Sequence, residues 1–156
     1  MIIEFKKLNN INDVEFIYEL YRSADEPDAP QVPFKSLNED IKEKISEQSK
    51  KISELVLVDN EVVGSVTVVE IKEGLNLGGV LLEKHRGKGL GIKMFQEKAK
   101  ELKLEYPDKT IYGSTRKDNY EAIGAIKKAG FVFEGEETKP PLGKYKEPII
   151  YVRYRF

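Results

Sequence analysis

The run Arg86-Gly87-Lys88-Gly89-Leu90-Gly91 constrains this chain more than any other stretch. It lies between a strand-like segment at 75–82 and a helix-like segment at 92–104. Glycines at alternate positions leave a turn without side chains to hold a ligand off the backbone. A strand–turn–helix path also leaves the first N–H groups of the helix unpaired. Those groups and the positive end of the helix dipole converge on one point, which favours an anion. Arg86 and Lys88 add positive charge. The run reads either as a phosphate or pyrophosphate cradle or as a basic surface turn. Its spacing excludes two known cradles. A P-loop needs Ser or Thr after Gly-Lys, and here Gly89 follows Lys88. The dinucleotide fingerprint needs G-x-G-x-x-G and a strand-end acid about 20 residues later, and neither is present.

Around this run, hydrophobic periodicity predicts the order β-α-α-β-β-β-α-β-α-β-β. A first strand is expected at 2–8. Asn12 and Glu15 form a capping box for a helix carrying Val14, Ile17, Tyr18 and Tyr21 on one face. Residues 23–34 form a long loop with Pro27, Pro30, Pro33 and the acids Asp25, Glu26 and Asp28. Ser36 and Glu39 form a second capping box, before a helix with Leu37, Ile41 and Ile45 on its apolar face. Helix, loop and helix together read as a mobile, substrate-facing flap. Strands at 55–58, 62–71 and 75–82 make an antiparallel meander, with Gly64 marking a bulge or a close backbone approach. A strand at 110–114 is parallel to its predecessor, because a helix intervenes. Asn119 caps the next helix, Ala122, Ile123, Ile126 and Ala129 form its buried stripe, and Gly130 ends it. Residues 131–134 read as a strand, 136–147 as a loop and 149–156 as a final alternating strand. The fold class is α/β (α+β), a mixed sheet with helices on its faces.

The chain has 156 residues, the size of one domain, and should bury roughly 70% of its unfolded surface. Its net charge of −1 argues against binding nucleic acid through bulk positive charge. With no cysteine there is no disulfide, no thiolate metal site and no cysteine nucleophile. A single histidine does not make a His-cluster metal site. No apolar run reaches the ~20 residues of a membrane span, and the N-terminus lacks a signal-peptide core. The expectation is a cytoplasmic protein without metal, nucleic-acid or membrane partners. It is expected as a monomer or homodimer, the latter through the aromatic last strand.

The loop resembles the Arg/Gln-x-x-Gly-x-Gly/Ala pyrophosphate loop of the GNAT superfamily of acyl-CoA N-acyltransferases. Asn119-x-x-Ala122-Ile123, followed by Gly130-Phe131, is similar to that superfamily's second signature. The two stand in the expected order, and the element order matches over most of the chain. The resemblance implies a mostly antiparallel sheet with a central splayed pair of parallel strands and helices on both faces. It also implies acetyl-CoA as co-substrate. Backbone groups of Leu81, Leu82 and Glu83 would hold the pantetheine arm and thioester. Arg86, Gly87, Lys88, Gly89, Leu90 and Gly91 would hold the pyrophosphate, and Asn119 would contact the pantetheine arm. The reaction implied is direct attack of a small-molecule or peptide amine on the thioester.

This sequence departs from the pattern where the superfamily places its catalysts. Ile126 stands where many members have a tyrosine acid, and Ser114 where many have a glutamate base. Leu77, Gly79 and Leu81 supply no glutamate in the strand before the loop. The substitutes are Tyr120 or Tyr145 as acid and Glu70 or Glu134 as base, or water. The other reading is a non-catalytic acyl-CoA sensor of the same fold. His85 reads as a strand-end residue flanking the loop. Asp25, Glu26 and Asp28 read as a solvated loop or as a steering field for a cationic amine.

Overall fold

The computed structural model describes residues 1–156. The strands are β1 (Ile3–Lys7), β2 (Ser53–Val58), β3 (Glu61–Ile71), β4 (Gly74–Leu81), β5 (Thr110–Arg116), β6 (Val132–Lys139) and β7 (Ile149–Arg155). The helices are α1 (Ile11–Ser23), α2 (Glu39–Ile52), α3 (Leu90–Glu105) and α4 (Tyr120–Lys128). The sheet runs β1-β2-β3-β4-β5-β7-β6. Only β4 and β5 are parallel neighbours, and every other pair is antiparallel. The expected mixed sheet and element order are both present. No helix is long and apolar enough to cross a membrane.

Strand alternation decides which helices cover which face. Leu55 of β2 packs with Val14 and Ile17 of α1 and with Phe34. Its neighbour Val56 points the other way, into a core with Leu77 of β4, Met94 and Ala99 of α3, and Ile126 of α4. So α1 and α2 cover one face and α3 and α4 the other. The α3/α4 side holds the larger core, and the T-shaped pair Phe95–Phe131 lies within it.

The helix starts show which polar groups win the caps. Asn10 caps α1, with the N–H of Asp13 donating to Asn10 Oδ1 at 3.1 Å. The expected cap, Asn12, sits inside the first turn. Asn38 caps α2 in place of Ser36, accepting from the Ile41 N–H at 2.9 Å. The Ser36 hydroxyl is engaged elsewhere, donating to the Pro33 carbonyl in a 3-10 turn at Phe34–Ser36. Asn119 caps α4 as expected, and Gly130 follows the helix at φ +103°. Residues 136–139, expected as loop, extend β6 and pair with β7 from Glu136↔Val152 to Lys139↔Ile149. They lie on an exposed edge strand, which carries no inward-facing apolar pattern to read.

Gly64 fulfils both expectations. The β2–β3 register slips beside it, because Val56 faces Gly64 while Leu57 faces Val62. A Cβ at Gly64 would also lie 2.3 Å from the carbonyl oxygen of Val80 on β4. The obstacle is backbone, so it cannot turn aside. Gly64→Ala should therefore lower stability by about 2–3 kcal/mol. A urea midpoint equal to that of the parent would show that β3 and β4 are not held this close.

Candidate active site

The site is built on an interrupted strand pairing. β4 and β5 pair from Gly74↔Thr110 to Leu77↔Gly113 and then separate. Beyond that point β4 is paired only with β3, as far as Leu81. β5 is paired only with β7, as far as Arg116. Backbone groups alternate sides along a strand. The Leu82 N–H donates to the Val63 carbonyl at 2.9 Å, toward β3. Leu81 and Gly79 therefore aim their N–H groups at the gap. The Leu81 carbonyl accepts from Arg86 Nε at 3.1 Å. What remains directed into the opening is the Leu81 N–H and both backbone groups of Gly79, which require a partner from elsewhere.

The three strand-end residues expected to hold the donor differ in what their backbone groups do. Of Leu81, Leu82 and Glu83, only Leu81 lines the cleft. The Leu82 carbonyl accepts from the His85 N–H at 2.9 Å, and that of Glu83 from the Arg86 N–H at 3.1 Å. The cause is a 3-10 turn at Glu83–His85, which consumes both carbonyls. Gly79 is the residue that sequence reasoning missed. A Cβ there would lie 2.5 Å from Met94 Cε, so the glycine lets α3 press against β4 beside the opening.

The loop that follows has the geometry of an anion cradle. Gly87 and Gly89 take left-handed φ values of +73° and +81°, and a Cβ at either would meet nothing within 4 Å. Glycine is needed there for backbone conformation, and the space in front of the loop is open. Gly89 caps α3 without a side-chain acceptor, and the first turn of α3 holds no acid. The helix start thus presents bare N–H groups and uncompensated positive dipole. Arg86, Gly91 and Asn119 share one cleft of about 460 Å³ with Gly79, Val80 and Leu81. Asn119 Oδ1 is occupied by the Ala122 N–H at 3.2 Å, leaving its amide N–H groups for a ligand.

The cleft passes through the sheet. On one face it is walled by Met94, Phe95 and Ala125 of α3 and α4. On the other it reaches Ala24, Asp25 and Glu26, just after α1, and Arg116 at the end of β5. Arg116 organises this second face, with its side chain only 8% exposed. It lies 3.0 Å from Asp118 Oδ1 and 3.2 Å from Glu26 Oε2, and it donates to the Asp25 carbonyl. The Tyr145 ring stacks on its guanidinium at 5.2 Å. Lys144 pairs with Asp25. Gly143 lies against Pro27, where a Cβ would come 2.4 Å from the carbonyl oxygen. The acidic loop expected as a mobile flap faces the cleft, and it is tied down by Arg116 and residues 143–145.

The acids of this loop differ in environment. Burial pushes the Glu26 carboxyl above its ordinary range; Asp28, Asp25 and Asp118 add to the effect and Arg116 opposes it. Asp25, largely exposed, is held below its ordinary range by the hydrogen bond from Lys144. Burial raises Tyr21, whose hydroxyl lies 3.5 Å from Thr67 Oγ1. Burial, then Glu26 and Asp28, raise Tyr151.

The expected catalysts are dispersed. Tyr120 stands at the cleft mouth, 80% exposed. Tyr145 lies in the adjoining groove, on Arg116. Glu70 is not at the site. It pairs with Leu75 at the closed end of the β4–β5 ladder, bound to Lys109 at 2.7 Å. That hydrogen bond holds it below the ordinary carboxylate range, the wrong direction for a base. Glu134 does not line the cleft either, lying exposed at the register shift of edge strand β6. His85 Nε2 lies 3.4 Å from Glu61 and does not line the cleft, as the flanking reading expects. Ile126 is fully buried against Gly113 in the α3/α4 core. Ser114 faces the acidic side, its hydroxyl 3.2 Å from Asn76 Oδ1.

Comparison with known proteins agrees with this geometry. Residues 14–131 match the model of the acetyltransferase (GNAT) family, and the chain belongs to that family. No functionally curated protein matches the sequence. Among solved structures, a GNAT-family acetyltransferase from Bacillus anthracis aligns over 99% of this chain and 93% of its own, with 18% identity and TM-score 0.76. The yncA protein from Salmonella typhimurium, described with its cofactor acetyl-CoA, aligns over 99% and 92%, with 15% identity and TM-score 0.72. A spermidine/spermine N-acetyltransferase from Vibrio cholerae aligns over 99% and 91%, with 18% identity and TM-score 0.70. At these identities the likeness is one of fold.

Gly89→Glu should weaken acetyl-CoA binding by at least about 100-fold, or about 2.8 kcal/mol, by placing a carboxylate where a phosphate is expected. Gly89→Asn, which tolerates the left-handed region, serves as the folding control. Calorimetric titration reads both. Equal affinity in the Glu variant and the parent would remove the cradle assignment.

Proposed function

We propose that this protein transfers the acetyl group of acetyl-CoA directly to a primary amine that carries positive charge in solution. The observation that carries the reading is the gap between β4 and β5, open to both faces of the sheet. The glycine loop stands at one end of the cleft and the acid-rich loop at the other. On this reading the cradle from Arg86 to Gly91 and Asn119 hold the donor on the α3/α4 side. The Gly79 and Leu81 backbone groups meet its pantetheine arm and thioester. A strand N–H at the gap is suited to stabilise the oxyanion that forms during acyl transfer. An acceptor enters from the α1 side, where Asp25, Glu26 and Asp28 favour a cation. Donor and acceptor then meet in one complex without a covalent enzyme intermediate, in keeping with the lack of cysteine. The family assignment and the fold shared with the spermidine/spermine enzyme support a soluble amine as acceptor.

One observation favours a second reading, an acyl-CoA sensor. Ile126 and Ser114 stand where the superfamily pattern puts its acid and base. Departure of a thiolate near its ordinary pKa does not demand a dedicated acid, so transfer remains the first reading.

Two measurements separate the readings. Acetyl-CoA at 100 times its Kd should stabilise the protein by about 2.7 kcal/mol, read as a thermal shift. An amine panel of spermidine, lysine and a peptide with a free α-amino group should then release CoA with at least one member. Binding without release would make the protein a sensor, and lack of binding would end both readings.

A further inference from the structure

We infer that Glu26 is the proton acceptor for the incoming amine, a catalytic residue placed on the loop after α1 and outside the positions where the superfamily pattern puts its acid and base. The inference rests on the proposed acetyl transfer. Two observations of geometry carry it. First, Glu26 lines the same cleft as Gly79, Val80 and Leu81, the strand residues at the β4–β5 opening. Second, the acidic loop is seated over the root of that opening. Tyr21 of α1 reaches Thr67 at 3.5 Å, and Thr67 stands beside Gly78, where a Cβ would be 3.0 Å from its hydroxyl oxygen. Gly78 directly precedes the first gap-facing residue. An amine approaching the opening from the α1 side therefore passes Glu26.

The other acids around Arg116 are occupied or turned to solvent. Asp25 is bound by Lys144 and its side chain is 68% exposed. Asp118 accepts from Arg116 Nε and is equally exposed. Asp28 and Glu121 are exposed. Glu26 alone is half-buried, 32% exposed, and has one cationic neighbour, Arg116, at 3.2 Å. The groups acting on it are Arg116 and Asp118 from the end of β5 and Asp25 and Asp28 from its own loop. Tyr21 of α1 and Tyr151 of β7 feel its charge in turn. Burial, opposed by one guanidinium and helped by three carboxylates, leaves Glu26 more basic than a free glutamate. A base that must accept from an ammonium of pKa ~10 works better for that change.

The proton count closes. Glu26 takes one proton from the ammonium, freeing the nitrogen lone pair. The N–C bond forms and the C–S bond breaks. The second surplus proton on nitrogen passes to the departing sulfur. Glu26 returns its own proton to water.

Glu26→Gln keeps shape and polarity and removes the base. With whichever panel amine is fastest in the parent, kcat should fall by roughly 10²- to 10⁴-fold. Acetyl-CoA affinity should stay within about twofold, confirming an intact fold. Glu26→Asp should recover part of kcat. The parent's kcat/KM should drop on the acid side as Glu26 becomes protonated. The Gln variant should lose that limb and instead rise about tenfold per pH unit toward the amine pKa, following the free amine. A Gln variant whose kcat is within threefold of the parent, or whose loss lies wholly in KM, would overturn the assignment. Either result leaves the acetyltransferase reading standing, because the parent is active in that comparison. A parent inert toward the whole panel would instead remove that reading, and this one with it.

Discussion

The architecture turns on the loss of pairing between β4 and β5 after Leu77 and Gly113. A parallel pair at the centre of a seven-stranded sheet would ordinarily continue, because unpaired strand groups away from water are costly. Here both strands run on, each held on its outer side by an antiparallel neighbour. The outer ladders keep the strands rigid while the inner one ends. The result is a wedge whose walls are backbone N–H and C=O groups, fixed in position before any ligand arrives. Every other feature of the site is arranged around that wedge.

Glycine supplies the close approaches the wedge requires. Gly64 admits the Val80 carbonyl, which keeps β3 tight on the outer side of β4. Gly79 admits Met94, which brings α3 against the strand at the opening. Gly91 and Ala125 stand close enough that a Cβ on Gly91 would be 3.6 Å from that of Ala125, so α3 and α4 converge beside the loop. These three differ from Gly87 and Gly89, where nothing crowds the missing Cβ and the backbone angle alone demands glycine. Packing glycines position the walls, and conformational glycines shape the cradle.

Much of this was legible in the chain. The strand–loop–helix pattern around Arg86, the Asn119 cap and the Gly130 stop each rest on local chemistry, and each stands where the pattern put it. Gly64 was legible as an anomaly in a β-branched strand. Cap positions at α1 and α2 slipped because Asn10 and Asn38 lie two residues from equally good polar candidates. Local sequence does not rank such neighbours. The direction of each strand's hydrogen bonds was not legible at all. Whether Leu81 or Leu82 faces the gap depends on β3 register and on the 3-10 turn that follows. The acidic side was hidden for a related reason. Arg116 and Glu26 are 90 residues apart, and nothing local announces their pairing or the burial that separates Glu26 from Asp25.

The substitution of Ile126 and Ser114 at the positions named by the resemblance has a structural meaning. Ile126 faces the α3/α4 core, where it packs on Gly113 behind the wedge. Ser114 and Arg116 face the opposite side, with the α1 loop. A chain that fills the first position with an apolar side chain gains core packing there and does without the acid that the resemblance implies. β5 carries no acid at Ser114, and the charged residue on that face is Arg116, two positions on. That guanidinium draws the acidic loop down over the open end of the sheet. An arginine on β5 needs carboxylates from elsewhere, and in meeting that need the loop seats Glu26 in the cleft. The same ion pair that holds the loop in place thus gives a chain without the expected base a half-buried carboxylate in the cleft.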